Sequence, residues 1–136
     1  MSKAGMIAAV IVAVLGGCAA TASSAHAESK NLSITYTNCM DNAGGVTAEM
    51  HGCIGAEHEK QDKRLNAAYK AAMKTVEGKR AQDLKEVQRA WLKFRDLNCG
   101  FAGGGEGTIA GILGASCILN MTAERADELQ AIAEGQ

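Results

Sequence analysis

AQDLKEVQRAWLKFRDLNC, residues 81–99, decides the fold of this chain. Leu84, Val87, Trp91 and Phe94 recur at steps of three, four and three, which at 100° per residue draws a narrow apolar stripe along a helix. Lys85, Arg89 and Lys93 fall on the opposite side, whereas Gln88, Arg95 and Asn98 lie on or beside the stripe. The spacing therefore predicts a helix whose buried face carries polar groups and whose last turn ends in Cys99. The single Trp of the chain, Trp91, sits at its centre.

Upstream, residues 48–76 read as a long helix with Ile54, Leu65, Ala68, Tyr69, Ala72 and Val76 on one face. Thr47 is its expected N-cap, and His58, Gln61 and Asp62 extend the face with polar groups. Gly78 supplies the turn into the 79–99 helix. Folding the two helices back to back about Gly78 sets Asp62 level with Arg95 and Tyr69 level with Gln88. A buried ion pair and a buried hydrogen bond are expected at those levels. A third helix, about 117–133, carries Ile118, Thr122, Arg125, Leu129 and Ile132 on one stripe, with Arg125 needing an acceptor such as Glu57 or a helix C-terminus. The expectation is an all-α domain over 38–134: a small antiparallel helical hairpin plus a third C-terminal helix. Asp62, Tyr69, Gln88, Trp91, Arg95 and Arg125 form its polar core. Strand-like alternation occurs only in Leu32–Thr37.

The chain has 136 residues, 4% aromatic content and no proline, which suits helices with an aliphatic core. Its formal net charge of −1 leaves no footprint for nucleic acid. Residues 1–27 read as an export signal. Lys3 begins it, Met6–Leu15 is an apolar run too short to span a bilayer, and Ala25-His26-Ala27 is a cleavage site. A competing lipobox, Leu15-Gly16-Gly17-Cys18, would instead remove 1–17 and place a lipid on Cys18, the one expected membrane contact. Residues 28–37 are then a polar lead-in or tether. Cleavage after Ala27 removes only Lys3 among charged residues and leaves 13 basic against 15 acidic, a net −2.

Export into an oxidising compartment makes the four remaining cysteines disulfide partners. They allow three pairings. Cys39–Cys53 and Cys99–Cys117 are favoured because each pair brackets a glycine-rich segment. Each closure is worth roughly 3 kcal/mol in the chain-entropy picture. Residues 100–116, GFAGGGEGTIAGILGAS, hold seven glycines and read as a disulfide-closed loop. The segment has no P-loop pattern and no Lys to hold a phosphate. His51 and His58 share a face but lack HExxH spacing, so neither a metal nor a cofactor is expected. No GxSxG and no nucleophile with its own base is present, so no enzyme is expected.

Four sets of residues together resemble one family. Tyr36-x2-Cys39 leads in, and Cys53-x3-Glu57-x4-Asp62-x2-Leu65-Asn66-x2-Tyr69 follows. Gln88-x2-Trp91-x3-Arg95-Asp96-x2-Cys99 and Cys117-x4-Thr122-x2-Arg125-x3-Leu129 complete the pattern. The combination resembles the LprI-type lysozyme inhibitor N-terminal-like domain, over about residues 36–130. The departure lies between Cys99 and Cys117, where Gly-Gly followed by Ser or Thr is expected and GGGEGT stands, with a GILGA insert after it. The resemblance implies a small exported or lipid-anchored helical domain with two disulfides, whose namesake inhibits lysozyme. On that reading the protein is periplasmic or secreted, and Glu106, Thr108 and Ser116 are the residues that would meet a lysozyme's carboxyl pair. The alternative is a non-catalytic envelope module docking another protein through Leu92, Leu97 and Phe101.

Overall fold

Four helices make up residues 32–135, the part described by the computed structural model: α1 Ile34–Ala43, α2 Thr47–Thr75, α3 Gly78–Ala102 and α4 Thr108–Ala133. The export signal, both of its processing sites and Cys18 lie outside the described residues.

α1 begins inside the stretch read as a lead-in. Ser33 is the reason: its hydroxyl caps the helix by accepting from the Tyr36 N–H at 3.2 Å. The alternation of Leu32–Thr37 is thus the first turn of a helix. Gly44 closes α1 at φ 54°. α2 starts at Thr47, with Val46 in the cap position and no side-chain cap. Gly78, at φ 54°, lets the chain reverse within the Val76-Glu77 link.

α4 is the centre of the packing. It runs parallel to α2, with Arg64 on Asp127 and on the Ala123 carbonyl, and Thr75 near the Ile132 carbonyl. It runs antiparallel to α3, with Cys99 bonded to Cys117, Arg95 on Thr122 and Arg125 on Gln88. α2 and α3 pack against α4 and scarcely approach each other, so the expected face-to-face hairpin is replaced by two helices flanking a third. One apolar cluster joins α2, α3 and α4 through Leu65, Ala68, Ala72, Leu84, Ala126 and Leu129. A second joins α1, α2 and α4 through Ile54, Ile112 and Leu119, with Tyr36 and Met40 packed on it. Fully buried Ala72, Ala123 and Ala126 keep the side chains between α2 and α4 small, which permits close helix approach.

Both expected disulfides are present, Cys39–Cys53 tying α1 to α2 and Cys99–Cys117 tying α3 to α4.

Candidate functional site

The polar core meets a different set of partners from those expected, and Arg125 Nη2 is buried without one. Asp62 accepts from Asn66 one turn on, at 3.0 Å, and does not meet Arg95. Arg95 donates to the neighbouring Asp96 at 2.8 Å and to the Thr122 hydroxyl at 3.2 Å. Gln88 accepts from Arg125 Nε at 3.0 Å, taking the place expected for Tyr69. Arg125 also donates to Glu128 at 2.6 Å; Glu57 is not its acceptor. The guanidinium carbons of Arg95 and Arg125 stand over the Trp91 ring, at 5.3 and 5.9 Å from its centroid. The physical reason is the position of α4. It supplies Thr122 and Arg125 to the inward face of α3, so the polar groups of that face are met by α4 and not by α2.

This arrangement also turns α3 about its axis. Its inward face is Leu84, Gln88, Trp91, Arg95 and Cys99, because Cys99 must reach Cys117 and the polar groups must reach Thr122 and Arg125. Val87 and Phe94, expected in the buried stripe, are 52% and 57% exposed.

Glu57, expected as an acceptor for Arg125 and part of the family pattern, is the most completely enclosed carboxylate among the described residues. It is 1% exposed. Its oxygens accept from the Ser33 N–H at 2.9 Å, the Ser33 hydroxyl at 2.6 Å, Gln61 Nε2 at 2.8 Å and Lys60 at 3.3 Å. Burial by itself would raise its pKa. The hydrogen bonds from Ser33, Gln61 and Lys60 outweigh that and hold the carboxyl below its ordinary value. The residue is a clasp that ties the start of α1 to α2, and its lone pairs are taken. His51, one of the two histidines considered for a metal, lies against Gly111, where an added Cβ would come within 3.1 Å of its ring. Among the described residues no group of three or more His, Cys, Asp or Glu side chains is gathered for a metal.

The glycine-rich segment is mostly helix. Only Gly103–Gly107 separates α3 from α4. Of the three residues expected in one loop, Glu106 lies in that turn, Thr108 opens α4, and Ser116 sits two turns inside α4, half-buried. Gly111 and Gly114 read as loop residues but are contact residues. A Cβ on Gly114 would fall 3.0 Å from the Gly103 Cα, so the two helices touch backbone to backbone there. With the Cys99–Cys117 bond one turn away, this contact braces a narrow tip. Glu106, Thr108, Ile109 and Leu113 are exposed on it. Beside the tip, Asn98, Ala102, Leu113, Ser116, Asn120 and Met121 line a shallow α3/α4 groove of about 500 Å³. Asn120 Oδ1 is buried there without a hydrogen-bond donor.

Among the described residues no helix is long and apolar enough to cross a membrane. No curated protein and no solved structure matches the chain. The model of the family described as lysozyme inhibitor LprI matches residues 39–129, a span that takes in both disulfides, the Trp91 cluster and the braced tip. Covering two thirds of the sequence, that match establishes that this chain belongs to the lysozyme inhibitor LprI family.

Proposed function

We propose that this chain is an exported, non-catalytic lysozyme inhibitor of the cell envelope, and that it meets lysozyme with the tip where α3 passes into α4. The observation that carries the reading is the bracing of that tip. The Cys99–Cys117 bond and the Gly103–Gly114 contact hold Glu106, Thr108, Ile109 and Leu113 in one arrangement before any partner arrives. A pre-ordered projection loses little entropy on entering a cleft. The tip pairs two exposed aliphatic side chains with a carboxylate and a hydroxyl. A net charge of −2 after export gives a mild attraction to a basic lysozyme. Export follows from the signal in residues 1–27. Mass spectrometry of the envelope fraction distinguishes a Glu28 terminus from a lipid on Cys18.

The test is clearing of cell-wall suspensions by lysozymes of several classes, with the exported, oxidised protein added. Inhibition near one-to-one, weakened at least tenfold by Ile109→Asp or by Glu106→Lys, is the expected result. No inhibition by any lysozyme class at a large molar excess overturns the reading. A second reading, an envelope docking module without lysozyme activity, draws on a separate observation. Leu97 and Phe101 are 66% and 88% exposed on α3, the helix that leads into the tip turn.

A further inference from the structure

The outer side of α3 carries Ala90, Phe94, Leu97 and Phe101 at steps of four, three and four, all exposed. Neighbours at this spacing touch along a helix and repeat the a/d pattern of a two-helix seam. This face is separate from the inward one of Leu84, Gln88, Trp91, Arg95 and Cys99. Phe94, Leu97 and Phe101 are 57%, 66% and 88% exposed. Two Phe and one Leu open to that degree leave on the order of 450 Å² of apolar surface in one strip. Monomeric proteins seldom expose more than a few hundred Å² contiguously.

We propose that the occupant of this strip is a second copy of the same chain, packed antiparallel, α3 against α3. A twofold axis passing between Arg95 and Asp96 satisfies the strip with itself, as an isologous interface must. Phe101 of one copy then lies over Ala90 of the other, large against small, and Phe94 lies against Leu97. The same register sets Lys93 beside Gly100 of the second copy, at the carbonyl end of its α3. That end carries partial negative charge, and its own last turn holds no basic residue to offset it. A parallel pairing would set Phe101 on Phe101 and leave both carbonyl ends without a cation. The strip covers about half of the roughly 800 Å² per partner of a standard interface, which places the dimer among weak, concentration-dependent ones. The braced tips remain free, one toward each end of the pair.

Sedimentation velocity of the exported, oxidised protein between 1 and about 500 µM tests this. The wild type passes from monomer to dimer across that range. Phe94→Glu and Leu97→Glu weaken association at least 100-fold, with helicity unchanged because both side chains are exposed in the monomer. Lys93→Glu weakens it about tenfold. Isotope-filtered NMR on a mixed sample gives a contact between the Ala90 methyl of one copy and the Phe101 ring of the other. A protein that stays monomeric at 500 µM overturns the proposal, as does a dimer indifferent to Phe94→Glu or one whose intermolecular contacts lie elsewhere. Loss of lysozyme inhibition in Phe94→Glu, in a wild type that is monomeric throughout, assigns the strip to lysozyme and also overturns it. Loss of inhibition confined to Ile109→Asp or Glu106→Lys bears on the tip and leaves the dimer to stand on its own result.

Discussion

The carboxylate of Glu57 accepts from both the backbone N–H and the hydroxyl of Ser33, 24 residues away, at 2.9 and 2.6 Å. Ser33 in turn caps α1, so one buried acid in α2 sets where the first helix begins. Glu57→Ala leaves the Ser33 and Gln61 donors without their acceptor, and a cost of about 2–3 kcal/mol in urea unfolding is expected.

The same clasp makes stability depend on pH with a defined sign. The folded-state pKa of Glu57 lies below its ordinary value of 4.5. Its contribution is therefore complete above about that pH and is lost as the pH falls through the lowered folded value. Unfolding midpoints measured from pH 6 down to pH 2 should drop for the wild type, and drop less for Glu57→Gln.

Gly114 and Gly55 make an internal contrast. A Cβ on Gly114 would stand 3.0 Å from the Gly103 backbone, whereas one on Gly55, in mid-α2, meets nothing within 4 Å. Gly114→Ala should cost about 1–3 kcal/mol through overpacking. Gly55→Ala should add about 0.5–1 kcal/mol through helix propensity. Thermal unfolding followed by circular dichroism reads both.

Gln88 and Asp62 separate the register first expected from the one observed. Gln88→Leu removes the acceptor of the buried Arg125 Nε and should cost about 2–3 kcal/mol, with a change in Trp91 fluorescence from the disturbed cluster. Asp62→Ala removes only an exposed bond to Asn66 and should shift stability by less than about 0.5 kcal/mol. The opposite ranking would restore an Asp62–Arg95 pair.

The two disulfides should fail differently. Cys39→Ser with Cys53→Ser removes the covalent tie of α1 to α2 and leaves the Glu57–Ser33 clasp, while the Leu65–Leu129 core persists, so amide exchange should quicken in residues 34–43 first. Cys99→Ser with Cys117→Ser unbraces the tip and should lower global stability by about 3 kcal/mol. Inhibition measured on the two variants side by side should fall in the second alone.

Much of this protein is legible without coordinates because it is local. The 3.6-residue pattern around Trp91 predicts a helix, and α3 spans Gly78–Ala102. Sequential cysteine pairing follows from where the glycines lie, and both bonds are present. The inward residues Ile54, Leu65, Ala72, Thr122, Arg125 and Leu129 are also those the stripes single out. Ser33 is a local signal of the same kind, since a Ser ahead of a helix is a favoured N-cap.

Only the tertiary structure decides what each face meets. Periodicity states that a helix has a side to bury, but not which neighbour covers it. The order of the helices along the chain suggested α2 against α3. The small residues of α4, the bond between Cys99 and Cys117, and the acceptors and donors on Thr122 and Arg125 place α4 between them instead. Glycine is ambiguous for the same reason. Its freedom in φ makes a run of glycines read as loop, while its missing Cβ lets Gly114 close on Gly103 inside a helical packing. Which property is used depends on a contact 11 residues away. Local pattern determines the helices of this protein, and the long-range contacts of α4 determine which of their faces remain for a partner.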